Sequence, residues 1–535
     1  MNKGLGMLKT AFRRLWFAAL VLAGPASVAF AILTAGQPAS ADVRLPSVIN
    51  DNMVLQRAMN TPLWGWADPG EKVTVKLEGK EYSAVADKDG QWMLHLAPHE
   101  AGGPFDIAIA GRNAITLKNV LFGDVWLCGG QSNMGYGVAG CATPEQIAKM
   151  NHPNMRQFFM QIRPDKTPKR NCVGNWRVGD SKHVGEFCAV GFWFAEKVQQ
   201  ELNVPIGLIW TAYGSSSGET WTPREALLGD PDFAPMFERE KGADMPRLQA
   251  EYDAAMVAWN VKADEARKKG QPEPGKPQDP KEMYAYLIRH APGNCFNAGI
   301  SPVIPFGLKG VLWYQGEHNA ARAYQYRKVL PILIQQWRKL WNQGDFAFLI
   351  VQLPNYMSVH DEPDNSEWAE LREAQALTAK NVPNCGYAVT IDIGDAKNIH
   401  PPNKPEAGRR MALLALGTVY GKDIEFCGPV FNSVEFKGAK AVVKFDHAEG
   451  MMAGKDGANE PLRGFALAGE DRKFFWADAK IDGQTVTLSS KYVAKPVAVR
   501  YAWANNPRCN LYNKAGLPAA PFRTDDWPGM TINEK

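Results

Sequence analysis

Val125-Trp126-Leu127-Cys128-Gly129-Gly130-Gln131-Ser132-Asn133-Met134 passes from a wholly apolar run into a glycine-rich turn that carries a serine. An apolar run this short, closed by glycines, reads as a strand buried on both faces. Four more runs share the pattern: Ile206-Gly207-Leu208-Ile209-Trp210, Gly310-Val311-Leu312-Trp313-Tyr314, Phe348-Leu349-Ile350-Val351 and Tyr387-Ala388-Val389-Thr390-Ile391. Helical patterns at Phe194 to Leu202 and Gly408 to Val419 lie between or after them. Buried strands alternating with helices predict an α/β fold, a three-layer α/β/α domain around a mainly parallel sheet. Open sheets of this class bind ligands beyond the C-terminal ends of their strands, which is where Ser132 falls.

Outward from this core the pattern changes twice. Residues 42–120 read as short strands and turns: Val73-Thr74-Val75-Lys76-Leu77 alternates, Asp87-Lys88-Asp89-Gly90 turns, and Gln91-Trp92-Met93-Leu94-His95-Leu96 alternates again. Turns at this spacing predict a small β-sandwich. After about Phe426 the strand-and-turn pattern returns, as in Ala441-Val442-Val443-Lys444-Phe445 and Thr485-Val486-Thr487-Leu488. The expected layout is an N-terminal β domain at 42–120, the α/β domain at 121–425 and a C-terminal β-rich domain at 426–535. Residues 226–294 form an insertion in the α/β domain, with a charge-rich helix from about Met245 to Lys269 and a proline-rich turn at Gln271 to Pro277. Its charges are those of a solvated helix face, and insertions in α/β folds often border the site.

The chain has 535 residues, 45% hydrophobic and 22% charged, the profile of a folded protein with sizeable cores. Its 60 basic and 56 acidic residues give +4, and Lys3, Lys9, Arg13 and Arg14 in residues 1–41 account for all of it. The remainder is neutral, with no global field to attract a polyanion, so nucleic acid is not an expected partner. Lys9, Arg13 and Arg14 precede an uncharged run from Leu15 to Ala35, and Ala39-Ser40-Ala41 follows. This is the form of a signal peptide, residues 1–41, cleaved after Ala41, with a retained anchor as the alternative. Cleavage predicts a periplasmic or secreted protein with no stable membrane insertion. The eight cysteines would then meet an oxidising compartment, which permits disulfides without fixing their pairing. None forms a CxxC pair or has histidine at zinc spacing, so no metal site is expected.

A serine nucleophile requires a base, normally histidine. Of nine histidines, His400 stands out in Asp392-Ile393-Gly394-Asp395-Ala396-Lys397-Asn398-Ile399-His400-Pro401, after the last predicted strand and before the last predicted helix. Two carboxylates there are candidates to orient its imidazole. At these residues the chain resembles a family. Gly130-Gln131-Ser132-Asn133-Met134, Trp313-Tyr314-Gln315-Gly316-Glu317 and Asp392-Ile393-Gly394-Asp395 with Ile399-His400-Pro401 are similar to blocks of the sialate O-acetylesterase family, within the SGNH/GDSL hydrolases. The resemblance extends to Arg44-Leu45-Pro46 and Asn52 to Arg57 near the start, and to Gly464-Phe465-Ala466, Phe475 to Ala479 and Val499 to Trp503 in the tail.

The resemblance implies an SGNH-hydrolase-like core and deacetylation of a sugar, with no cofactor and no metal. Ser132 would be the nucleophile and His400 the base, with Asp395 orienting it; Asp392, or a dyad braced by a backbone carbonyl, are alternatives. Many superfamily members have Asp three residues before the histidine, where this chain has Lys397. The Ser132 and Gly214 N–H groups and the Gln315 side chain would form the oxyanion hole, with a bond to a neighbouring loop as the alternative for Gln315. Glu317, Glu219 and Trp221 would contact substrate; the alternatives are that Glu317 positions Gln315 or holds its loop and that Trp221 packs in the core, for which Trp313 is the better suited. His318 stands where the family commonly has serine and reads as a loop residue, with a substrate contact as the alternative. The expected function is an exported carbohydrate O-acetylesterase acting on sialate. Alternatives are an acetylxylan-type polysaccharide deacetylase, or a glycan-binding protein with a decayed catalytic core, against which the joint presence of Ser132, His400, Asp395 and Gln315 speaks.

Overall fold

The computed structural model describes residues 42–455 and 460–535; the expected signal segment lies outside the described residues. The N-terminal strands are β1 (Val54–Gln56), β2 (Thr61–Trp66), β3 (Lys72–Leu77), β4 (Lys80–Val85), β5 (Gln91–Leu96) and β6 (Gly102–Ala110). They lead into β7 (Ala114–Gly130), a strand of 17 residues that serves two sheets in turn. Its first half pairs antiparallel with β6 and parallel with β1. Its second half is the centre of the α/β sheet. The expected boundary at residue 120 therefore falls inside one continuous strand, and the two regions share one hydrophobic core.

The remaining strands of that sheet are β8 (His152–Gln161), β9 (Val173–Gly179), β10 (Ile206–Ala212), β11 (Gly310–Tyr314), β12 (Ala347–Val351) and β13 (Cys385–Ala388), in the order β13-β12-β11-β7-β10-β8-β9. All pairs are parallel except β8 with β9 at the edge. The expected mainly parallel sheet is observed. The last predicted strand ends earlier than expected, because Thr390 turns its hydroxyl onto the Gln352 carbonyl instead of extending the ladder. β8 and β9 escape a search for wholly apolar runs, since edge strands mix polar residues with apolar ones.

Register shows where the helices lie. Parallel pairing sets Trp313 beside Gly129 and Leu312 beside Cys128, so Trp313 and Cys128 face opposite sides of the sheet. Trp313 meets Trp337 of α5 (Ala323–Trp341) edge-on at 5.6 Å, whereas Trp126, on the Cys128 side, meets Phe194 of α1 (Ala189–Leu202) at 4.9 Å. Between them in sequence come the insertion helices α2 (Ala234–Lys241), α3 (Met245–Lys268) and α4 (Pro280–His290). α6 (Glu367–Asn381) packs on α5, and α7 (Lys404–Thr418) packs on α1 with Gly408 seated against Val190 and Trp193. Helices on both faces make three layers.

The C-terminal region forms two four-stranded antiparallel sheets with a core of their own, which includes Val389 and Ile391 from just after β13. All eight cysteines carry free thiols. No helix among the described residues is long and apolar enough to cross a membrane.

Candidate active site

β7 ends at Gly130, whose φ is 141° and where a Cβ would lie 2.1 Å from the Tyr314 carbonyl oxygen. Only glycine fits so close to β11. The Gln131 N–H then donates to Tyr314 O at 3.0 Å, and Met134 and Gly135 N–H both donate to Gln131 O at 2.9 Å. This turn lifts Ser132 above the sheet. From 268 residues further along the chain, His400 brings Nε2 to 2.8 Å from Ser132 Oγ. Burial first, and the charge of Lys404 second, lower the His400 pKa below its ordinary 6.5. The imidazole is thus neutral near pH 7, the form that accepts a proton from serine.

The expected orienting acid is not found at His400. Asp395 is exposed, and its Oδ1 accepts from the N–H groups of Lys397 and Asn398, capping the turn that precedes His400. Asp392 is held bidentate by Arg410 at 2.6 and 2.8 Å and receives the Tyr512 hydroxyl. Among the described residues no carboxylate bonds to the His400 ring. Its loop is fixed through the backbone instead: Asn133 Nδ2 donates to Ile399 O at 3.0 Å and Lys404 Nζ donates to Pro401 O at 2.7 Å. Lys404 Nζ also donates to Asn133 Oδ1 at 2.6 Å, and Asn133 Nδ2 to Glu317 Oε1 at 2.5 Å. A buried Lys404–Asn133–Glu317 relay thereby ties together the loops after β7, β11 and β13. Lys404 is 1% exposed, lies over the rings of Tyr136 and Tyr314, and burial pulls its pKa down to about 8 despite Glu317.

Of the expected oxyanion donors, two backbone groups are in place. A Cβ on Gly214 would lie 3.9 Å from Ser132 Cβ, and neither the Ser132 nor the Gly214 N–H is spent on another group among the described residues. Gln315 is a correction. It is wholly buried, and its Nε2 donates to Asn319 Oδ1 (2.8 Å), Ser216 O (3.1 Å) and Gln131 Oε1 (3.3 Å), while Tyr326 donates to its Oε1. It holds the loops that carry the oxyanion donors and has no N–H left to offer.

The expected substrate contacts also change place. Trp221 is wholly buried, donates Nε1–H to Ser216 Oγ and meets Trp313 edge-on at 6.1 Å, so both tryptophans belong to the core. Glu317 lies behind the site in the relay, where burial raises its pKa. Glu219 is wholly buried and accepts from Arg322 at 2.7 Å and Asn319 at 2.9 Å. Burial opposes its charge, yet Arg322 and nearby hydrogen bonds hold its pKa at about 2. His318 does more than fill a loop, stacking at 4.0 Å on His290 of the insertion. Asn133 and Lys404 were missed by the sequence reading, although a lysine opening a helix, against the positive end of its dipole, signals a task other than helix stability. Glu425, Cys427 and His447 place ligand atoms within 4.8 Å of one another and could hold a metal, but none of them bonds to a residue of this site.

Comparison with known proteins shows the family and the fold. The family model described as carbohydrate esterase, sialic acid-specific acetylesterase matches residues 122–250 and 275–416. Sialate O-acetylesterase of Mus musculus is 28% identical, over 90% of this chain and 94% of its own, and that of Homo sapiens 27% identical, over 94% and 97%. The crystal structure of a carbohydrate acetylesterase from Xanthomonas citri is 35% identical, covers 91% of this chain and 100% of its own, and superposes with a TM-score of 0.76.

Proposed function

Because the chain belongs to the sialic acid-specific acetylesterase family of carbohydrate esterases and is a carboxylic ester hydrolase, we propose that it removes acetyl groups from sugar hydroxyls through an acetyl-enzyme on Ser132. The observation that carries this reading is the 2.8 Å contact between Ser132 Oγ and His400 Nε2, beside two unspent N–H groups. As Ser132 Oγ attacks the acetyl carbonyl, His400 Nε2 takes its proton. The Ser132 and Gly214 N–H groups meet the oxyanion as charge develops, each such donor contributing about 3–4 kcal/mol. Collapse expels the sugar alkoxide, which recovers the proton from His400. Water, deprotonated by the same nitrogen, then releases acetate and restores the serine.

With no carboxylate on its ring, His400 works as half of a dyad, held in place by the Lys404–Asn133 clamp on its neighbours' carbonyls. Acetylated sialic acid, the family's name-giving substrate, is one candidate, and an acetylated neutral polysaccharide such as xylan is the other. The basic and apolar N-terminal segment supports action outside the cytoplasm. The decisive experiment is acetate release from acetylated sugars and an aryl acetate by wild type and Ser132→Ala, each with and without chelator. Chelator-resistant turnover that falls at least ~10³-fold in Ser132→Ala is expected. Equal rates in the two proteins would remove Ser132 as nucleophile.

A further inference from the structure

Beside the Ser132 loops, the insertion closes a cavity of about 440 Å³, within the ~300–1,000 Å³ range of ligand sites. α2 contributes Arg239, α4 contributes Tyr286 and His290, and the loops after β10 and β11 contribute Glu219, His318 and Arg322. The cavity is built on the loops that carry the site: Ser217 lines it from the Gly214 loop, and His318 from the loop that carries Glu317. The His318 N–H reaches Gln131 Oε1 at 3.5 Å, next to Ser132. Arg289, the residue before His290, lies over the Tyr213 ring at 5.4 Å, next to Gly214.

Three polar atoms of the lining residues are buried without a hydrogen-bond partner: both ring nitrogens of His290, and Glu219 Oε2. Each such orphan gives up its hydration with nothing in return, and three gathered in one place call for an occupant. Their chemistry restricts it. Glu219, ionised and accepting, repels an anion. Arg239 and Arg322 repel a cation. The His290 imidazole, kept neutral by burial and by its cationic neighbours, offers one donor and one acceptor. Stacking on His318, with an interplanar angle of 6°, holds those nitrogens edge-on. A hydroxyl both donates and accepts, and a group of hydroxyls satisfies all three atoms at once.

We propose that this cavity is the subsite for the sugar that bears the ester, a neutral hydroxyl-rich residue, with Glu219 Oε2 and His290 reading its hydroxyls. The inference rests on the esterase reading and assigns the insertion a function: Ser132 and His400 perform the chemistry while α4 selects the sugar. The test compares kcat/KM for an acetylated neutral oligosaccharide with that for an aryl acetate, which has no hydroxyls to be read. In His290→Ala and in His290→Phe, which keeps a ring on His318 but removes both ring nitrogens, the ratio of the two is expected to fall about tenfold or more. Residual aryl acetate hydrolysis reports that each variant folds. An equal loss on both esters, an unchanged ratio, or a wild-type preference for an acetylated carboxylate-bearing sugar over the neutral one would overturn the proposal. Absence of hydrolysis of either ester by wild type would instead overturn the esterase reading beneath it.

Discussion

Asp395 shows how far a single residue can be read from sequence. Spacing placed a carboxylate five positions before His400, and the expectation of an acid–base–nucleophile triad followed. In the structure that carboxylate caps its own turn, because an aspartate reaches the N–H groups two and three residues on with less strain than a distant ring. Asp395→Asn is therefore expected to cost less than about tenfold in kcat/KM, since the amide oxygen still caps the turn. Loss of the true orienting acid of a triad costs about 10⁴-fold, so a drop of that size would reinstate Asp395. Gln315 teaches the same lesson, its donors all being spent within the protein.

At the scale of elements, the start of α7 joins helix geometry to catalysis. Lys404 occupies the first position of the helix, where its charge opposes the dipole, and the cost is offset by Asn133 Oδ1, Pro401 O and the nearby Glu317. Two consequences follow for the pH profile. His400 has its pKa lowered by burial and then by Lys404, so activity should rise through an acid limb below 6.5. Lys404 itself loses its proton near pH 8, weakening the clamp and giving an alkaline limb there. Removing the charge raises the His400 pKa, because an imidazolium no longer meets a cation. Lys404→Met should shift the acid limb upward, abolish the limb near 8 and lower kcat roughly tenfold to a hundredfold, as expected for a displaced base. A fall in kcat with both limbs unmoved would reduce Lys404 to a packing residue. The apolar core strands were legible because burial on two faces leaves continuous apolar runs, whereas β8, β9 and α6 passed unnoticed, their patterns diluted by polar residues, and α5 was missed although its apolar residues recur at helical spacing.

Across the whole molecule, the C-terminal β region is tied to the α/β layers by a buried cation. Arg372 of α6 is wholly buried and bonds no carboxylate among the described residues; it donates to the carbonyls of Leu353 and Pro354 on one side and of Ala504 and Asn505 on the other. Burial pulls its pKa down to about 9, yet it stays charged at neutral pH. Arg372→Leu would leave four carbonyls without that donor and is expected to destabilise by about 3–5 kcal/mol in urea unfolding. A change under about 1 kcal/mol would show that the two regions cohere without it. The N-terminal β region needs no such tie, since β7 runs through both sheets and carries the core with it.

What the sequence by itself determined was the class of the sheet, the family and which serine and histidine meet at the sheet's C-terminal edge, because local apolar patterns and short turn motifs are written in neighbouring residues. Only the tertiary structure decided which groups were still free to act. Asp395, Gln315, Trp221 and Glu317 all lie where the motifs suggested, but each is bound into the protein by partners distant in sequence. The converse holds for Lys404 and His290, ordinary in sequence and brought by α7 to the relay and by the insertion to the cavity. Hydrogen-bonding capacity is finite, and whether a side chain has any left depends on every neighbour the fold supplies.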